Sequence, residues 1–190
     1  MNKYVTILLF SSRKNGNCAN IGKYVSKYYE MHTVNSVVID RETVPACGNC
    51  DCECLKPGVF CPQRSKEYDR IMDMVCHSDL VYFVVPNYCG YPCANYFAFN
   101  ERSVGYFGMD RGMMDRYMNV PKRFIIVSNT EGFEDAMRQQ TTNEPEILYL
   151  KSRQYGKRSI AGDMLESDAA RNDLDEFLSN DGFLDRQLSV

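Results

Sequence analysis

Tyr4-Val-Thr-Ile-Leu-Leu-Phe10-Ser-Ser-Arg-Lys-Asn-Gly-Asn-Cys18 passes from a continuous apolar, β-branched run straight into a polar, glycine-containing loop. An unbroken run of large and β-branched residues, rather than an apolar–polar alternation, is that of a strand buried on both faces, the kind found in parallel sheets. The segment after the loop has helical spacing, since Ile21, Tyr24, Val25, Tyr28 and Tyr29 recur at i, i+3, i+4, i+7 and i+8. A strand, a polar turn and an amphipathic helix make the opening half of a βαβ unit.

The unit repeats along the chain. Val34–Ile39, Leu80–Val85, Lys122–Ser128 and Ile147–Leu150 are the further predicted strands. Helical spacing is expected through Tyr68, Ile71, Met72 and Val75, over Ala94–Arg102 with Phe97 as an aromatic anchor and Phe99 as a second candidate, and over Glu134–Gln140. A last helix carries Leu165, Ala169, Leu174, Phe177 and Leu178, with Asp163 as its expected cap and Glu166 reaching back to it. Ser103–Pro121 reads as irregular and Pro86–Tyr91 as a turn. The expected architecture is α/β, a five-stranded parallel sheet with helices on both faces. One domain over residues 1–180 and a polar tail at 181–190 complete the organisation. Ligands of such sheets bind beyond the carboxyl ends of the strands, where the strand order reverses. Ser11–Cys18, Pro86–Tyr91 and Asn129–Phe133 are therefore the candidate loops.

In the first of these, hydroxyls, amides, the Arg13 guanidinium and a helix N-terminus converge, as a phosphate requires. An ordinary polar loop with a helix cap is the plainer account of the same residues. Neither G-x-G-x-x-G nor G-x-x-x-x-G-K-[ST] is present.

Composition narrows the classes. The 190 residues carry 22 basic and 25 acidic side chains, a net charge of −3, so nothing advertises nucleic acid or an anionic membrane. No apolar stretch approaches the roughly 20 residues of a membrane span. Nine cysteines, an odd number with no secretory signal ahead of them, argue for a reducing cytoplasm rather than a secreted disulfide scaffold. Five of them crowd the proline-rich loop 41–64, as Cys47-x-x-Cys50-x-Cys52-x-Cys54-x6-Cys61. Long unperiodic loops are commonly functional or held by something. Iron–sulfur, structural zinc and metal-free thiols all remain open, with Cys47, Cys50, Cys54 and Cys61 as the ligands if there is a metal.

The three loops also carry a resemblance. Ser11-Ser-Arg-Lys-Asn-Gly-Asn-Cys-Ala-Asn20 resembles the S-P-R-K-x-G-N-T/S loop of the NADPH-dependent FMN reductase-like and multimeric flavodoxin-like proteins. Val85-Pro-Asn-Tyr-Cys-Gly90, with Phe97, Phe99 and Arg102 after it, resembles their S-P-x-Y-x-G…F-x-D-R segment. Val127-Ser-Asn-Thr-Glu-Gly132 resembles their third flavin loop. The match runs over most of residues 3–150, and the Cys-Gly-x-Cys stretch is common in the same proteins. The resemblance implies a three-layer flavodoxin-like fold and an FMN site. Ser11, Arg13, Asn15, Gly16, Asn17 and Cys18 match the phosphate loop. Pro86, Asn87, Tyr88 and Gly90 match the loop along the isoalloxazine and ribityl chain, and Ser128, Thr130 and Gly132 match the loop at the pyrimidine edge. No side chain is then needed as a catalytic acid or base, because hydride passes directly between nicotinamide and flavin.

The chain departs from the pattern at Cys18, for a threonine or serine, at Ser12, for proline, at Asn87, for a small or apolar residue, and at Asn100–Arg102, which keep only the arginine of the usual ending. The implied activity is an NAD(P)H oxidoreductase that passes electrons to a small acceptor such as a quinone, nitro compound or flavin. An electron carrier, flavodoxin-like or an iron–sulfur flavoprotein, is the alternative. A degraded flavin site beside a metal-binding cysteine loop is a second. The implied assembly is a homodimer or homotetramer.

Overall fold

A computed structural model describes residues 2–48, 50–56, 58–108 and 111–182 of the chain, so most of the expected tail lies outside the described residues. Its elements are β1 (Tyr4–Leu9), α1 (Asn17–Tyr28), β2 (Thr33–Val38), α2 (Lys66–Cys76), β3 (Leu80–Tyr88), a two-residue β4 (Tyr91–Pro92), α3 (Ala94–Phe107), α4 (Arg111–Asn119), β5 (Lys122–Val127), α5 (Glu134–Arg138), β6 (Glu146–Leu150) and α6 (Asp168–Ser179). Five strands lie in the order β2-β1-β3-β5-β6, all parallel, and β4 adds an antiparallel hairpin at the end of β3.

Alternation along each strand divides the apolar runs between two cores. Leu8, Phe10, Phe83, Val85, Phe124 and Ile126 pack with Ile71, Met72 and Val75 of α2 and with Tyr96 and Phe99 of α3. Val5, Ile7, Leu9, Tyr82, Val84 and Ile125 pack on the other side with Ile21 and Val25 of α1 and Leu174 and Leu178 of α6. Each such side chain contributes about 1.5–3 kcal/mol of transfer free energy on burial. The close approach of α1 to the sheet depends on Gly22, where an added Cβ would stand 2.6 Å from Leu9 Cδ2.

Four expectations need correction. Ser103–Pro121 is not irregular: α3 runs on to Phe107 and α4 follows, burying Tyr117 in the core with Met113 and Met118 packed against it. Pro86–Tyr91 is not simply a turn, because β3 continues to Tyr88 and folds back through Tyr91–Pro92. The strand tolerates Pro86 because of where that residue faces. The Val84 carbonyl accepts from Phe10 N–H at 3.0 Å, so Val84, and by alternation Pro86, faces β1. The β1–β3 ladder ends at Leu9–Val84, so the N–H that proline lacks would have had no strand partner. In α3 it is Phe99 that is buried, while Phe97 is 43% exposed. Asp163 precedes a separate 3-10 turn at Met164–Glu166, and Ser167 stands at the N-cap of α6.

Candidate functional site

β1, β3 and β5 are adjacent in the sheet, so their carboxyl ends bring the three candidate loops side by side. The first loop ends at Gly16, the N-cap of α1, which makes no side-chain cap bond; the first turn of the helix holds no acidic residue. By contrast, Ser65 caps α2 by accepting from Tyr68 N–H at 3.3 Å. The N-terminal amides of α1 therefore keep the donors that an anion would satisfy. Ser11 is buried beside them, and Arg13, Lys14 and Asn15 are exposed.

Asn87 ties the second loop to the third. Its Nδ2 donates to Ser128 Oγ at 2.7 Å and to Thr130 Oγ1 at 2.8 Å, and its Oδ1 accepts from Gly90 N–H at 2.9 Å. Ser128 Oγ in turn donates to the Thr130 carbonyl at 2.7 Å. The hairpin tip is tight, with φ of +56° at Cys89 and +85° at Gly90. Tyr88 and Tyr91 flank it, 51% and 68% exposed, so the one aromatic expected against a flavin ring stands at the surface. Around Gly90 and Gly132, among the described residues, no atom lies within 4 Å of where a Cβ would project.

A strap that the sequence does not announce closes over the first loop. Between β6 and α6 the chain crosses the N-terminus of α1, where Asn17 Nδ2 donates to Ser159 O at 3.1 Å and Asn20 Nδ2 to Gly162 O at 2.8 Å. Met164 N–H donates to Asn17 Oδ1 at 3.1 Å, and Arg13 Nη1 to Ile160 O at 3.4 Å. Asn129 joins from the third loop, donating to Ser159 Oγ at 3.0 Å. Gly162 has φ of +78°, and a Cβ there would lie 2.2 Å from the Asn15 carbonyl oxygen, so only glycine fits. The carboxamide of Asn17 is thus committed to the strap on both atoms. What it has left to offer an anion is its backbone N–H at the helix start.

Cys18 is buried, and two effects compete at its sulfur. A helix N-terminus favours thiolate, but burial and the neighbouring Cys93 thiol outweigh it and push Cys18 up to about 12. It stays a neutral thiol, a weak donor. Cys93 is buried too, donating to Phe10 O at 3.1 Å, whereas Cys89 is exposed.

The cysteine loop packs on α3. Gly105 leaves room for it, since a Cβ would stand 3.0 Å from Cys61 Cβ and 3.9 Å from Cys54 Cβ. The Cys54 thiol is held above its ordinary value by partial burial and by the thiols of Cys61, Cys47 and Cys50. The loop thus gathers the four expected ligands toward one place. Among the described residues, however, no three cysteine, histidine or acidic side chains stand where they could hold a metal ion. Arg102, at the end of the second segment that resembles the family pattern, is buried and donates to Gln63 O at the end of this loop.

No family model and no curated protein matches the sequence. Solved structures do match in fold. The Trp repressor binding protein from Bacillus subtilis superposes with a TM-score of 0.60 at 14% identity, over 94% of this chain and 98% of that one. FerB, a flavoenzyme NAD(P)H:(acceptor) oxidoreductase from Paracoccus denitrificans, gives 0.54 at 15% identity over 93% and 96%. The azoreductase AzrA gives 0.50 at 11% identity over 95% and 97%. Among the described residues no helix is long and apolar enough to cross a membrane. The strand order, the helices on both faces and these likenesses establish that the chain has the three-layer α/β, flavodoxin-like fold that its loop motifs imply.

Proposed function

We propose that this chain is an FMN-dependent NAD(P)H oxidoreductase that passes electrons to a small acceptor such as a quinone, a nitro compound or a flavin. One observation carries the reading: three loops meet at the carboxyl ends of β1, β3 and β5, next to a helix whose N-terminal amides have no internal cap. FerB and AzrA, built on the same fold, support it by the chemistry in their names.

The residues fit the group. Amides and hydroxyls from Ser11 through Cys18 would hold the phosphate, with Arg13 supplying the cation. Pro86, Asn87, Tyr88 and Gly90 would run along the ring and ribityl chain. Ser128, Thr130 and Gly132 would face the pyrimidine edge, where the open space at Gly132 leaves a backbone approach free. When bound, FMN supplies the chemistry, taking hydride from a reduced nicotinamide and handing its electrons on. This chain's residues position and orient it; none is needed to move a proton. The assembly proposed is a homodimer or homotetramer. No step is routed through the cysteine loop.

Titrating FMN with purified protein should quench flavin fluorescence, and the loaded protein should oxidise NADPH or NADH when a quinone is added. Unquenched flavin at millimolar protein would rule the reading out. Tight binding without nicotinamide oxidation would move the protein to the electron-carrier alternative.

A further inference from the structure

A groove of about 420 Å³ lies on the other side of the phosphate loop from the hairpin and the third loop. It runs between α1 and the edge strand β2, and its size is within the roughly 300–1,000 Å³ of small-molecule sites. Every ionisable side chain on its walls is basic: Arg13, Lys14 and Lys23. That sign runs against the chain as a whole, which carries −3. Among the described residues neither lysine meets a carboxylate within ion-pair distance. Three cations exceed what one flavin phosphate needs.

The rest of the wall has a different character. Leu9 and Val38 form an apolar floor, and Ser36 presents a hydroxyl from β2. Among the described residues β2 has β1 as its one strand partner; the outward carbonyl of Val38 accepts from Thr43 Oγ1 at 3.1 Å, and the outward backbone groups of Val34 and Ser36 have no strand to pair with. A cationic mouth, an apolar floor and an unpaired strand edge suit a phosphate, a sugar and a flat heterocycle with a hydrogen-bonding edge.

We propose that this groove binds an adenosine phosphate, the adenylate half of a dinucleotide whose other half reaches the flavin loops. The identity of that other half rests on the flavin reading; the groove itself does not. Two dinucleotides share this chemistry, the nicotinamide donor and a flavin carrying its own adenylate.

Isothermal titration with ADP and 2′,5′-ADP at low salt, without flavin, tests the groove directly. Lys14→Gln and Lys23→Gln should each weaken binding about two- to fivefold, and Lys27→Gln, farther along α1 and outside the groove, should not. Folding is checked by circular dichroism, and all three lysines are exposed. A nicotinamide source would raise the KM for NADPH in both variants, while the FMN Kd stays constant in Lys23→Gln, which lies outside the phosphate loop. A flavin source would instead lower affinity for FAD in both and leave FMN unchanged in Lys23→Gln. Loss of FMN binding in the wild type with ADP binding intact would sink the flavin reading and spare this one. The proposal is overturned if ADP does not bind at millimolar concentration, or if it binds equally to the wild type and both groove variants.

Discussion

Replacing Asn87 by alanine removes three hydrogen bonds at once: those to Ser128 Oγ at 2.7 Å and Thr130 Oγ1 at 2.8 Å, and that from Gly90 N–H at 2.9 Å. One is part-buried and two are exposed, so each falls toward the lower half of about 0.5–1.5 kcal/mol net and the total is about 2–3 kcal/mol. The loss divides between the fold and the alignment of two loops. The strands beneath are held independently by the β3–β5 ladder, which runs from Val81–Lys122 to Pro86–Val127. Most of the loss should therefore appear as disorder in the loops rather than as unfolding. If the loops must be re-aligned to take up FMN, the Kd should rise about 10- to 50-fold, because 1.4 kcal/mol is a factor of ten. A double-mutant cycle with Ser128→Ala should show coupling of about 1 kcal/mol, since both truncations break the same bond. Flavin fluorescence titration gives the Kd, and urea unfolding gives the stability. A folded Asn87→Ala protein that binds FMN within twofold of the wild type would refute the role of Asn87 as the strut between the loops.

Other consequences are more local. Gly162→Ala forces a Cβ onto the Asn15 carbonyl at positive φ and should cost about 2 kcal/mol or more, lowering Tm by about 4–8 °C in calorimetry; an unchanged Tm would mean the strap is not seated as described. Burial depresses Lys122 to about 7 while the unfolded lysine keeps its proton to about 10.5, so the unfolded chain binds the extra proton across that window and stability rises with pH there, by up to about 3 kcal/mol between pH 7 and 9. Lys122→Met should remove that rise in urea titrations, and an equal slope in the variant would show that another group causes it. In timed alkylation followed by mass spectrometry, exposed Cys47, Cys52 and Cys89 should react long before buried, protonated Cys18. Cys18→Thr should tighten FMN binding several-fold by restoring a hydroxyl donor, and weaker binding would place that side chain away from the phosphate.

The parts of the fold legible in the sequence are those whose signal is local. β1, β3 and β5 show as continuous apolar runs because each is covered on both faces, and the loops after them show because polar and glycine residues interrupt those runs abruptly. α4 escapes notice although its period is present: Met113, Met114, Tyr117 and Met118 fall at i, i+1, i+4 and i+5, but Gly105, Gly108 and Gly112 punctuate the stretch and read as breaks. Phe97 and Phe99 could not be ranked without knowing which way α3 turns on the sheet. The strap was beyond reach for another reason. Its contacts to Asn17, Asn20 and Arg13 are made by the carbonyls of Ser159, Gly162 and Ile160, and a backbone carbonyl leaves no mark in a sequence. Only Gly162 carries a trace, one glycine among twelve.

The same distinction explains how the site can depart from its motif and stay coherent. An anion at the start of α1 would be met chiefly by backbone amides, whose direction is set by the helix and not by side-chain identity. A cysteine can then stand at position 18 at the cost of one weak donor. The carboxamide of Asn17 is free to hold the strap, and the strap in turn fixes the loop from which those amides emerge. Asn87 works in the same way, as a polar side chain that spans two loops and contributes geometry rather than chemistry. A site built like this tolerates substitution at the side chains that would touch a ligand and is brittle at those that hold the backbone. Asn20, Asn129 and Gly162, which match no motif, should therefore matter more for binding than Cys18, which does.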